Sequence, residues 1–161
     1  MIKKSSLIFV LLVIFCTSCD KRRLFDEYQK VGNTWHKDSI ISFVYEEKDS
    51  SLRKNLFVTI RNNNNYPFRN LFLIVEMEQP DKKIIIDTLE YEMANPDGSL
   101  MGKGITDTKE NKLFYKENFT FPKVGKYFIN IQQAVRKSGK IEGVETLDGV
   151  TDVGLRIEKV E

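Results

Sequence analysis

Apolar and aromatic residues alternate with polar ones from Asp38 onward, and this period of two constrains the fold more than any other feature of the chain. The alternating runs are about five to nine residues long and are separated by clusters of Asn, Pro, Gly and Asp. Because successive side chains of a strand point to opposite faces, Ile41, Phe43 and Tyr45 fall on one face. Residues 71–77 are apolar at almost every position, which is typical of a strand covered on both faces. The pattern predicts an all-β fold.

Seven segments carry this strand pattern, and their number and spacing favour one architecture. They lie at residues 41–45, 56–60, 71–77, 84–91, 113–121, 127–135 and 153–157. We therefore predict an antiparallel, immunoglobulin-like β-sandwich of about seven strands with little helix. Only residues 24–29, with Leu24 and Tyr28 four apart, could form a turn or two of helix. The sequence Pro-x-x-Gly-x-Tyr at residues 122–127 predicts that the Tyr127 hydroxyl ties down a corner before a late strand.

The N-terminus has the three parts of a secretory signal peptide. Lys3 and Lys4 precede an apolar run at residues 7–15, and small residues follow. Nine helical residues rise about 14 Å, far short of the roughly 30 Å hydrocarbon core, so this run would not span a membrane. Thr17-Ser18-Cys19 resembles a bacterial lipobox, which predicts cleavage before Cys19 and lipidation of its thiol. Cys16 occupies the position that usually holds Leu, and an ordinary signal peptide cut near Ser18 is the alternative.

Length and processing together predict three segments in a chain of 161 residues. We expect a signal peptide at 1–18, a lipidated tether at 19–34 and a single β-sandwich domain at 35–161. Residues 20–23 are charged and would lie near the lipid headgroups, either as a solvated tether or, for Lys21 to Arg23, facing the membrane.

Composition argues against several classes of function. The formal net charge is +2, and loss of Lys3 and Lys4 leaves a neutral chain, so nucleic-acid binding is disfavoured. With one His and two Cys, zinc sites and Cys/His catalysis are nearly excluded. His36 lies near Ser39, but no Gly-x-Ser-x-Gly elbow is present. We predict no catalytic residue, no metal, no cofactor apart from covalent lipid on Cys19, and no small-molecule substrate.

Aromatic residues leave one alternative open. If exposed, a set of rings could form a sugar-stacking platform or a protein-binding face. This set comprises Trp35, Tyr66, Phe68, Tyr91 and Phe114. A glycan-binding or glycan-processing surface lipoprotein is therefore the alternative function.

Several strings of the chain resemble one known family over essentially the whole mature sequence. They are Cys19 with its charged stretch, and residues 25–28, 35–40, 60–64, 66–68, 70–73, 87–90, 93–98, 112–116 and 131–136. These strings resemble the GldH family of gliding-motility lipoproteins of the Bacteroidetes. Only Cys19, the acylation site, matches a position of defined chemistry in that family.

The resemblance implies a cell-envelope lipoprotein that is required for gliding over surfaces. It implies no enzyme activity but a non-catalytic interaction or stabilising role in machinery tied to type IX secretion. The expected partners are other envelope motility lipoproteins or secretion components. Cys19 would carry N-palmitoyl and S-diacylglycerol groups and hold the protein to the inner or outer membrane, facing the periplasm. Asp20 resembles an inner-membrane retention signal, but that rule differs between phyla, so the membrane stays open.

Overall fold

The computed structural model describes residues 20–104, 106–137 and 139–160, and in these residues it contains strands and no helix. The ten strands are β1 (Arg23–Lys30), β2 (Thr34–His36), β3 (Ile41–Glu47), β4 (Lys54–Asn62), β5 (Asn70–Glu78), β6 (Ile84–Glu92), β7 (Lys109–Phe119), β8 (Gly125–Gln133), β9 (Thr146–Asp148) and β10 (Val150–Lys159). The all-β prediction is confirmed.

The strands form two four-stranded sheets and one two-stranded ribbon, all antiparallel. Sheet I has the order β1-β10-β4-β7, and sheet II has the order β3-β8-β5-β6. The ribbon pairs β2 with β9, with Trp35 opposite Leu147. Of the paired strands, only β5 and β6 are consecutive in the chain and joined by a tight turn, and the other pairs bring together strands that are distant in sequence.

Buried side chains of both four-stranded sheets form one hydrophobic cluster. Sheet I contributes Leu56, Val58 and Ile60, which share the inner face of β4. Aromatic rings join the two sheets, since the Phe25 ring of β1 lies 5.7 Å from the Tyr45 ring of β3 between centroids. Burial of this apolar area is the main source of stability for a domain whose described residues hold no cysteine.

All seven predicted segments overlap strands, namely β3 to β8 and β10, and the structure adds three more. The turn or two of helix that residues 24–29 could have formed does not form, because these residues belong to β1 and pair with β10, Phe25 opposite Ile157. Sheet I therefore begins inside the segment that was predicted as a tether, residues 19–34. Strands β2 and β9 have three residues each, which is too short for a period of two to be read.

The register brings five chain segments to the same end of both sheets. Arg23 pairs with Glu158, Lys54 with both Lys159 and Phe119, and Gly125 with Glu47. This proximal end therefore holds residues 20–22, the loops 48–53, 79–83 and 120–124, and the end of β10. The opposite, distal end holds the β2–β9 ribbon and the segment 134–145.

Candidate functional site

Asp20, the first residue that the structure describes, is bonded to sheet I. Its carboxylate pairs with the Arg156 guanidinium of β10 and accepts the Arg22 N–H at 3.3 Å. Its carbonyl accepts the Arg23 N–H at 3.2 Å. Partial desolvation raises the pKa of the Asp20 carboxyl, but these hydrogen bonds and the Arg156 charge lower it further, so it stays below its ordinary value. The residue that follows Cys19 is thus part of the folded domain.

Arg156 connects this terminus to a chain of ion pairs across the outer face of sheet I. Its Nη1 lies 2.8 Å from an Asp26 oxygen on β1, and its Nε lies 2.6 Å from Glu158 Oε1 on the same strand. Lys112 Nζ of β7 reaches that Glu158 oxygen at 2.7 Å. Three strands are therefore joined by charge-assisted hydrogen bonds, which are stronger than neutral ones.

Aromatic rings continue this surface. Lys112 Nζ lies 4.0 Å from the ring centroid of Phe57, and the Phe57 and Phe114 rings are 4.5 Å apart. Elsewhere on the same outer face, the Arg61 guanidinium lies 3.9 Å from the Tyr28 ring centroid. The outer face of sheet I thus carries its own network of cation–π and ion-pair contacts.

A buried ion pair holds the loop 48–53 at the proximal end. Lys54 Nζ of sheet I lies 2.9 Å from Glu47 Oε2 of sheet II, and both side chains are almost fully buried. Lys54 also donates to the carbonyls of Asp49 at 2.9 Å and Leu52 at 3.3 Å. The ammonium thus makes three contacts with the loop and strand, as burial of a charge requires.

Tyr127 holds the neighbouring loop 120–124, as the Pro-x-x-Gly-x-Tyr pattern predicts. Its hydroxyl donates to the Lys123 carbonyl at 2.8 Å and accepts the Lys123 N–H at 3.1 Å. The ring is fully buried against Phe121. Two of the three loops at the proximal end, 48–53 and 120–124, are therefore fixed by side chains of the adjacent strands.

Cys19, the predicted lipid attachment site, and the predicted signal peptide 1–18 lie outside the described residues. Arg156 was missed by sequence reasoning, although the alternation of residues 152–158 could have shown that it shares a face with Glu158. Only the pairing of β10 with β1 reveals its contact with Asp20.

The five aromatic residues considered for a glycan platform do not gather in one place. Trp35 and Tyr66 are buried in the core, where Trp35 Nε1 donates to the Ser39 carbonyl and the Tyr66 hydroxyl to the Asn70 carbonyl. The Tyr91 hydroxyl donates to the Phe114 carbonyl at 2.5 Å, whereas the Phe114 ring is exposed on sheet I.

Of that set, Phe68 lines a groove of about 460 Å³ at the distal end. Its other walls are mostly charged and include Lys137, Lys140, Glu142 and Asp148. A single ring beside mixed charges is not a stacking platform.

His36 is not placed beside a hydroxyl nucleophile. Its Nδ1 accepts the Asp38 N–H at 3.2 Å, and its Nε2 lies 3.8 Å from a Glu145 oxygen. Within the described ranges, no group of three or more His, Cys, Asp or Glu side chains is arranged to hold a metal ion. The same residues contain no helix that could cross a membrane.

The sequence profile of the GldH lipoprotein family matches residues 23–157, which run from the first residue of β1 almost to the end of β10. The chain belongs to the GldH lipoprotein family. The gliding motility lipoprotein GldH of Flavobacterium johnsoniae is 59% identical to this GldH-family chain over 156 residues, which cover 97% of each chain.

A second GldH relative is the gliding motility lipoprotein GldH homolog of Christiangramia forsetii. It is 50% identical over 155 residues, which cover 96% of this chain and 95% of the relative. Among solved structures, a family GH115 4-O-methyl-α-glucuronidase aligns with 89% of this chain and 18% of its own, with a TM-score of 0.43 and 12% identity. So low a similarity supports no argument about fold or function.

Proposed function

We propose that this chain is a cell-envelope lipoprotein that acts in gliding motility as a non-catalytic interaction and stabilising component. The observation that carries the proposal is its 59% identity, over 97% of both chains, with a gliding motility lipoprotein. The family profile spans the folded domain, so the similarity is not confined to the N-terminal signal.

Cys19 is the proposed attachment point of the lipid, with N-palmitoyl and S-diacylglycerol groups. The anchor would hold the domain at the periplasmic side of the inner or outer membrane. Two acyl signals are what stable anchoring requires, because a single chain binds membranes only marginally. Because Asp20 is bonded to sheet I, a lipid on the preceding residue would hold the folded domain itself close to the membrane.

The proposed architecture is an antiparallel β-sandwich. It is supported by two four-stranded sheets whose buried side chains form one cluster. Two layers closed over one core leave the outer faces and the edge strands for contact with partners. The proposed partners are other envelope motility lipoproteins or components linked to type IX secretion. The immunoglobulin-like form of the sandwich stays a prediction.

Gene replacement in Flavobacterium johnsoniae tests the proposal. The gene of its GldH would be deleted and replaced by the gene of this chain, as wild type, Cys19→Ala or Cys16→Ala. We expect the wild type and Cys16→Ala, the matched control, to restore spreading colonies and to fractionate with membranes. Cys19→Ala should do neither. Spreading with a fully membrane-bound Cys19→Ala protein would contradict the anchor, and failure of the wild type would contradict the motility role.

Cross-linking in the complemented cells tests the interaction role. We expect mass spectrometry of the purified, cross-linked wild-type protein to recover the same envelope lipoproteins or secretion components in fixed proportion. Recovery of the protein alone, from cells that glide, would contradict an interaction component.

A further inference from the structure

We propose that the proximal end of the domain lies directly on the membrane surface and binds anionic phospholipid headgroups. This inference rests on the proposed lipidation of Cys19 and deepens it, because it assigns an orientation and a lipid-binding surface to the folded domain. Three features of the proximal end support it: the short connection to the anchor, the basic residues at the strand ends, and exposed apolar side chains beside them.

The connection between the anchor and the domain has almost no length. Asp20 is one peptide bond from the proposed attachment point, and one trans peptide spans about 3.8 Å between Cα atoms. Asp20 is bonded to Arg156 through its side chain and to Arg23 through its carbonyl. A flexible linker of ten residues would instead allow a separation of about 17 Å. The domain therefore cannot stand away from the bilayer that holds its lipid.

Basic residues are concentrated where three neighbouring strands of sheet I end. The Lys159 N–H donates to the Arg22 carbonyl at 2.8 Å, and the Val160 N–H donates to the Arg53 carbonyl at 3.1 Å. The segments at β1, β10 and β4 are therefore adjacent at this end. The exposed basic residues at these strand ends are Lys21, Arg22, Arg23, Arg53 and Lys159.

The carboxylates of the same end mostly have partners within the protein. Asp20 pairs with Arg156, and Glu47 pairs with the buried Lys54. Asp49 accepts hydrogen bonds from the backbone and hydroxyl of Ser51. Lys and Arg also outnumber Asp and Glu in residues 20–22, in the three loops and at the end of β10, so this surface is predominantly positive. Such clusters next to a lipid anchor are attracted to anionic headgroups.

Apolar side chains are exposed at this end as well. Leu24, 43% exposed, is the second residue of β1, and Ile84, 51% exposed, begins β6. Val124, 57% exposed, lies in the loop 120–124 held by Tyr127. Apolar side chains interspersed with basic ones suit the headgroup boundary, where burial of apolar area adds to electrostatic attraction. A purely aqueous surface would gain nothing from them.

A single introduced cysteine can measure this orientation, because the mature chain is proposed to carry only the acylated Cys19. Val124→Cys places a thiol at the proximal end, and Ile141→Cys places one at the distal end, where the side chain is 89% exposed. Each full-length, lipidated variant would be labelled with a fluorophore and reconstituted into vesicles of phosphatidylcholine with about one third phosphatidylglycerol, a strongly anionic surface. Headgroup-linked nitroxide lipids would quench a label that lies at the surface.

We expect strong quenching at position 124 and little at position 141. Reversing the charge with Arg53→Glu and Lys159→Glu should lower the quenching at position 124 by about half, since the electrostatic attraction becomes repulsion. The control pair Lys137→Glu and Lys140→Glu changes the net charge by the same amount at the distal end. It should leave the quenching at position 124 unchanged. A ten-residue Gly/Ser insertion between Cys19 and Asp20 should also lower it.

Equal quenching at the two positions would overturn the proposal, as would no response to either the proximal charge reversal or the insertion. The proposal would also be overturned if the label at position 124 were protected from solvent in cell envelopes but not in vesicles. A partner protein, and not lipid, would then cover this end. Mass spectrometry of the N-terminal peptide is measured first on every sample. Absence of lipid at Cys19 would count against the proposed anchor itself, so the two failures are distinguishable.

Discussion

Gly154 lies in the middle of β10, opposite Tyr28 of β1 and Thr59 of β4. A Cβ atom here would come within 2.2 Å of Thr59 Oγ1 and 2.8 Å of the Glu27 carbonyl oxygen. The Tyr28 ring occupies the remaining space, with Cδ1 at 2.8 Å. Because Gly154 has no side chain, the Tyr28 ring of the edge strand β1 can lie over the central strand β10.

Gly154→Ala should lower the free energy of unfolding by about 1–3 kcal/mol, because overpacking forces side chains and backbone to shift. Urea unfolding followed by circular dichroism measures it. Gly143→Ala is the matched control, since its nearest atom is 3.7 Å away and little should change. Equal stability of the two variants would contradict the close packing at β10.

The Lys54–Glu47 ion pair is a second feature of single residues that affects stability, because both charges are buried. Lys54→Met alone should cost about 3–5 kcal/mol, as it leaves the Glu47 carboxylate buried without its partner. The double variant Lys54→Met, Glu47→Leu should cost less than the sum of the single changes. A double-mutant cycle in urea tests this, and strict additivity would show that the pair does not interact.

At the scale of elements, loops and strand edges are held by single side chains. Tyr127 fixes the loop 120–124 through two hydrogen bonds with Lys123. Tyr127→Phe should lower stability by about 1–2 kcal/mol and speed hydrogen exchange at residues 123–125. Tyr66→Phe is the control, since its hydroxyl bonds Asn70 at the distal end, and it should leave exchange in this loop unchanged.

The edges of β6 and β7, in different sheets, are joined by Asp87. Its carboxylate accepts hydrogen bonds from the Tyr115 hydroxyl at 2.9 Å and Lys116 Nζ at 2.8 Å. Partial desolvation raises the pKa of Asp87, but these two donors lower it more, so it lies below its ordinary value. Glu158 is shifted in the same direction by Lys112 and Arg156, again against the effect of desolvation.

A carboxyl whose pKa is lower in the folded state adds stability above its unfolded pKa, and this stability is lost as the pH falls through the folded pKa. We therefore expect the free energy of unfolding to decrease below about pH 4, near the unfolded pKa of Asp and Glu. The free energy of unfolding of the Asp87→Asn variant should decrease less steeply over that range. Urea titrations at several pH values measure the slopes, and identical slopes would mean that Asp87 does not contribute.

For the whole molecule, the shared core predicts one cooperative transition. Trp35, the one tryptophan of the chain, is fully buried at the distal end, whereas most of the circular dichroism signal comes from both sheets. Its fluorescence and far-ultraviolet circular dichroism should report the same midpoint in urea. Two separate midpoints would show that the β2–β9 ribbon unfolds independently of the sheets.

The molecule also has two ends with different characters. Loops fixed by buried side chains, basic strand ends and the N-terminus meet at the proximal end, while the charged groove lined by Phe68 lies at the distal end. This arrangement gives the proposed anchor one side of the domain and leaves the distal end and the sheet edges for other proteins.

The sequence by itself determined the properties that depend on neighbouring residues. Alternation showed the strand segments, because side-chain direction in a strand has a local period of two. The pattern before Tyr127 likewise predicted the corner that its hydroxyl holds. Both backbone groups that this hydroxyl contacts belong to one residue, four positions earlier. The strings of residues that resemble the GldH family were likewise contiguous.

Only the tertiary structure decided which distant segments meet. Residues 24–29 became strand β1 because they pair with β10, about 130 positions later in the chain, and this pairing overrides a weak local preference for helix. The contact of Asp20 with Arg156 and the inward or outward position of Trp35 and Phe114 depend on the same register. Register between distant strands is set by packing and not by local propensity, so it could not be predicted from the sequence.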